Sequence, residues 1–139
     1  MLGFVHGGEG EAQQRDVARP RQVGTAGGPT QDQARGPYWR RVARGWYLPV
    51  DVPLTTRQRI LNAATVVPGS TVGGWAAAYW CGIPMLEQRG PVPVIIGRDR
   101  RCRSTPHVEV HRPAAGHVES VIVSGVAVTL PLRTAVDGV

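Results

Sequence analysis

Residues 38–49 read Y-W-R-R-V-A-R-G-W-Y-L-P, and the organisation of the chain is best read outward from them. The stretch sets three arginines (Arg40, Arg41 and Arg44) among four aromatic residues (Tyr38, Trp39, Trp46 and Tyr47) around a single Gly45. Residues 38–42 and 46–48 have the aromatic-rich content of short strands, and Gly45 can take the positive φ that a tight link between them requires. The pattern predicts a β-hairpin. Arginine supplies a permanent charge and a planar donor fork, and the rings supply packing surface. The expected ribbon anchors one face to a core and projects its guanidinium groups together toward an anionic ligand.

Downstream, Pro49 and Pro53 break the extended backbone, and Thr55 or Thr56 can cap a helix over T-T-R-Q-R-I-L-N-A-A-T-V-V. Ile60, Leu61, Ala64 and Val67 recur there at helical spacing and form the expected buried stripe. Arg57 and Arg59 lie in its first turns, where the helix dipole disfavours positive charge. A second short helix is predicted over residues 74–81. Gly82 fits its C′ position, Pro84 blocks continuation, and Trp75 and Tyr79 share a face.

From Gly90 the pattern becomes extended. Strands are predicted at residues 92–96, 107–112, 118–123 and 126–129, with an arginine-rich loop at 97–106 and a tight Ser124-Gly125 link. These strands are expected to form a small, mostly antiparallel sheet. Residues 130–137 read as the opening of a helix, with Thr129 as its cap and Pro131 near its first position, and that helix is expected to be cut short. The fold class is therefore α+β: a wing-like hairpin, two short helices and a small sheet.

Upstream, residues 1–35 are rich in glycine and poor in large apolar side chains, and their four arginines are cancelled by four acids. Such a composition buries too little surface to offset the entropy of ordering. The sequence thus divides into a disordered leader, 1–35, and an α+β domain, 36–139, incomplete at both ends. The few apolar residues after Met1 lack the basic flank of a signal peptide. No run approaches the roughly 20 apolar residues of a membrane span. No membrane association is expected, and the cytoplasm is the expected location.

The formal net charge is +6, and every basic residue apart from histidine is arginine. The charge gathers at Arg40, Arg41 and Arg44, at Arg57 and Arg59, and at Arg98, Arg100, Arg101 and Arg103. Clustered arginine suits a polyanion through phosphate neutralisation and counterion release. A solvated basic surface is the competing reading. The candidate DNA-binding residues are Arg40, Arg41, Arg44, Arg57 and Arg59.

Catalytic patterns are missing from the sequence. No Gly-x-Ser-x-Gly elbow is present, and without lysine neither a phosphate-binding Gly-x-x-x-x-Gly-Lys loop nor an Asp…Glu-x-Lys nuclease site can form. Asp99, Glu109, Glu119 and Asp137 are too scattered to pair as acid and base. His107, Glu109 and His111 alternate along one strand face and carry metal-ligand chemistry. Their steps of almost 7 Å along a strand keep all three from converging without strong twist, and a polar outer face is the simpler reading. Cys81 and Cys102 lack paired-ligand spacing and read as free thiols. The chain is expected to be no enzyme and to need neither cofactor nor metal.

Three segments, in order, carry a family resemblance. R-R-V-A-R-G-W-Y-L-P resembles an "R-V-x-R-G-V-Y" ribbon, T-V-G-G-W-A-A-A-Y-W-C-G-I-P resembles "S-H-x-S-A-A-x-L-x-G-L", and V-S-G-V-A-V-T-L-P-L-R-T-A-V-D resembles "G-L-P-V-T-S-P-x-R-T-L-x-D". Together they resemble the AbiEi-type antitoxin and transcriptional-regulator family of actinobacteria, whose members are often fused to a very-short-patch-repair-like nuclease domain. The best single match is Arg133-Thr134 followed by Asp137. The resemblance covers about residues 36–139. It implies a winged helix-turn-helix whose wing touches phosphate or minor groove, and Arg40, Arg41 and Arg44 fall at the wing. The recognition helices are not evident in residues 1–35. Gly73 and Ala76 replace polar positions of the second motif, and Trp75 intrudes between them.

The resulting expectation is a DNA-associated regulator or antitoxin-like protein of a toxin–antitoxin system. The expected partners are double-stranded DNA and a cognate toxin, with oligomeric state left open. A toxin-neutralising interaction module without DNA binding, and a nonfunctional remnant of a longer protein, stand as alternatives.

Overall fold

Aromatic and β-branched runs closed by tight glycine turns produce most of the strands in the computed structural model, which describes residues 18–83, 89–113 and 119–129. The fold is mixed α+β, with a three-stranded antiparallel sheet, a five-stranded mixed sheet and three helices among the described residues. The chain forms two compact units, Met1–Gln58 and Arg59–Val139. Composition alone places a division at 35/36.

The first unit contains β1 (Arg21–Gln22), α1 (Gln31–Ala34), β2 (Trp39–Ala43) and β3 (Trp46–Pro49). The sheet order is β1-β3-β2, all antiparallel. The expected hairpin is therefore present, turning at Arg44-Gly45 with Gly45 at φ 78°. A bulge shifts the β2–β3 register between Arg41 and Ala43.

The leader reading needs correction over residues 18–35. Arg21 and Gln22 pair with Tyr47 and Trp46, and α1 opens with a capping box. The Gln33 amide donates to Thr30 Oγ1 at 3.1 Å, and the Thr30 amide donates to Gln33 Oε1 at 2.9 Å. Pro20 and Pro29 are buried. The edge of β3 supplied hydrogen-bonding partners that a local composition argument does not count. Residues 1–17 lie outside the described residues.

Helix α2 (Thr56–Val66) starts where expected, with Thr55 Oγ1 accepting from the Gln58 amide at 3.1 Å. Ile60, Leu61, Ala63 and Val67 are buried, and so are Gln58 and Asn62, whereas Ala64 is only half-buried. The covered surface is thus broader than one apolar stripe. Gln58 Nε2 donates to the Ala18 carbonyl.

The second unit holds β4 (Thr71–Val72), α3 (Gly74–Trp80), β5 (Val92–Ile95), β6 (Val108–His111), β7 (Ser120–Val123) and β8 (Val126–Thr129). The sheet order is β6-β5-β4-β8-β7. Two of its four pairings, β5–β6 and β4–β8, are parallel, where the sequence pointed to a mostly antiparallel sheet. Parallel neighbours need a crossover of about a dozen residues, and the arginine-rich loop between β5 and β6 fills that role. Val72, Val92, Val94, Val126 and Val128 are at most 1 % exposed. Burying each contributes up to about 1.5–3 kcal/mol.

Helix α3 packs against β5 and β8. Its end is a Schellman motif: the Gly82 amide donates to Tyr79 and the Ile83 amide to Ala78, both at 3.0 Å, with Gly82 at φ 102°. Gly82 therefore occupies the C′ position expected for it. The predicted helix at 130–137 lies outside the described residues.

Candidate nucleic-acid interface

Antiparallel pairing decides which way each hairpin arginine faces, because directly opposite residues share a face and successive residues alternate. Arg40 is opposite Leu48, and Arg41 is opposite Tyr47. Leu48 is fully buried, so Arg40 lies on the covered face, where its Nη2 donates to the Val50 carbonyl at 3.2 Å. Arg41 lies on the other face and is exposed. The three guanidinium groups thus do not project together: Arg40 is split from Arg41. Arg44 is exposed at the turn beside Gly45.

The exposed face has a member that sequence reasoning missed. Arg21 of β1 is opposite the same Tyr47 that Arg41 faces from β2, so Arg21, Tyr47 and Arg41 form one row across three strands. Arg21 and Arg41 are both exposed. Neither Arg21, Arg41 nor Arg44 has a carboxylate partner among the described residues. Residues 18–58 carry seven arginines against Asp32 and Asp51, and Asp32 stands 3.8 Å from Arg35 on an exposed helix.

The two helix candidates differ. Arg57 is exposed in the first turn of α2. Arg59 is half-buried in the second unit. It donates to the carbonyls of Arg89, at 3.0 Å, and Gly90, and its guanidinium carbon is 5.7 Å from the Trp75 ring centre. Its fork holds the chain ahead of β5, which is a structural task.

The third arginine cluster is also partly structural. Arg100 donates to the Pro68 carbonyl, and Arg112 donates to the carbonyls of Arg100 at 2.9 Å and Cys102 at 3.3 Å. Arg101 and Arg103 are exposed. On β6, Glu109 and His111 point outward as expected, with His111 Nε2 2.5 Å from Glu109 Oε1. No group of three or more His, Cys, Asp or Glu residues among the described residues is placed to hold a metal ion. Cys81 and Cys102 are free thiols. No helix among the described residues is long and apolar enough to cross a membrane.

The chain matches no protein-family model, no curated protein and no solved structure.

Proposed function

We propose that this chain is a non-catalytic, DNA-associated regulator of the antitoxin type, acting in the cytoplasm and contacting duplex DNA through the β2–β3 hairpin. The observation that carries the reading is the pair Arg41 and Arg44. Both are exposed and without a carboxylate partner among the described residues, in a stretch of seven arginines against two acids. Cations so placed neutralise phosphates and release counterions. The AbiEi-type resemblance of the same ribbon points the same way. Arg40 and Arg59 drop out of the contact set, because one lies on the covered face and the other binds backbone carbonyls.

The test is fluorescence anisotropy with a labelled random-sequence duplex over a range of salt concentrations. Each phosphate contact contributes about 0.9 to the log-log salt slope, so Arg41→Ala with Arg44→Ala should flatten it by about 1.8. Absence of duplex binding by the unaltered chain at low salt would rule the reading out. So would a double variant with unchanged slope.

A further inference from the structure

The hairpin alone does not account for the row that crosses the whole three-stranded sheet. From Arg21 opposite Tyr47 and Tyr47 opposite Arg41, we infer that the exposed face of this sheet is a nucleic-acid backbone track running across the strands, with Arg21 as a contact equal in rank to Arg41. The inference rests on the DNA-binding reading and specifies its surface.

Charge complementarity identifies the occupant. The row carries two exposed guanidinium forks, with the half-buried Tyr47 and its phenol hydroxyl between them. None of the three has a hydrogen-bonding or ionic partner in the described structure. Arginine and tyrosine side chains are both habitual phosphate donors. Adjacent strands are about 4.8 Å apart, so the backbones beneath Arg21 and Arg41 are separated by roughly 10 Å. That separation lets the two forks engage separate phosphates of one nucleic-acid backbone. Trp39 and Pro49 are paired with each other in the next row of the same face and give it an apolar margin for sugar rings.

The Arg21 guanidinium lies beside Gly27: a Cβ there would stand 3.5 Å from Arg21 Nη1, an ordinary van der Waals contact. Gly27 has φ 79°, so the turn after β1 calls for glycine through its backbone conformation and not through lack of space beside Arg21.

The experiment compares Arg21→Ala, Arg21→Gln, Tyr47→Phe and Arg41→Ala with an Arg35→Ala control, using the same labelled duplex and salt series. Thermal melts confirm that each variant folds. Loss of Arg21 by either substitution should flatten the slope by about 0.9, as loss of Arg41 does, while Arg35→Ala leaves it unchanged. Tyr47→Phe removes a neutral donor, so affinity should fall roughly three- to tenfold at constant slope. If both Arg21 variants keep the parental slope while Arg41→Ala lowers it, the track is overturned and the hairpin reading survives. An equal fall in slope for Arg35→Ala would show diffuse surface charge and overturn the track as well. Failure of the unaltered chain to bind overturns both.

Discussion

The guanidinium of Arg59 stands over the indole of Trp75, 5.7 Å from its ring centre, while donating to the Arg89 and Gly90 carbonyls. One side chain therefore ties α2 to α3 and to the segment entering β5 within the second unit. Arg59→Ala removes the hydrogen bonds to these carbonyls and the cation–π contact, and a destabilisation of about 2 kcal/mol or more is expected in urea denaturation. Lysine lacks the planar fork, so Arg59→Lys should recover only part of it. An Arg59→Ala chain of unaltered stability but weakened DNA binding would return Arg59 to the interface.

Arg40 and Arg41 are neighbours in sequence with opposite expected behaviour. Arg40→Ala removes a covered-face side chain bonded to the Val50 carbonyl, so its salt slope for duplex DNA should match the parent. Arg41→Ala should lower the slope by about 0.9. Paired salt titrations measure both. Equal slopes for the two variants would mean that strand alternation does not govern contact here.

That opposition was partly legible in the sequence. Two adjacent residues of any strand face opposite ways, so Arg40 and Arg41 could not both project with one another once the hairpin was accepted. Which of them faces outward required the register, and the bulge between Arg41 and Ala43 puts that beyond simple counting. Arg21 was hidden for another reason. Residues 1–35 average to zero charge, yet three of their acids fall in 1–17 and three of their arginines in 18–35. β1 and β4 are two residues long, too short to show alternation, and exist because β3 and β5 offer edges to pair with. The elements with local signals were read directly: the Thr55 cap, the Gly82 terminus and the Ser124-Gly125 turn.

The β7–β8 turn carries an identifiable strain. Ser124 has φ 50° and Gly125 φ 79°, so both central residues are left-handed, as a type I′ hairpin requires. Serine lacks the αL tolerance of asparagine or glycine. Ser124→Asn or Ser124→Gly should raise stability by about 0.5–1 kcal/mol, and Gly125→Ala should lower it by at least as much. Thermal unfolding followed by circular dichroism reads both signs. A fall in melting temperature for Ser124→Asn would contradict the assigned turn.

The capping box of α1 gives the most direct check that the stretch before the hairpin is ordered. Thr30 and Gln33 exchange hydrogen bonds between side chain and backbone, which satisfies two amides at a helix start. Thr30→Ala removes the acceptor for the Gln33 amide and should cost about 1 kcal/mol locally. A helix of four residues has little reserve, so the loss should appear as faster hydrogen exchange at the Gln33 and Ala34 amides. Because β1 and the β2–β3 hairpin share one sheet, amides of β2 should keep their protection. Equal exchange at Gln33 and Ala34 in the variant and its parent, both at the rate of free peptide, would mean that this helix does not form in solution.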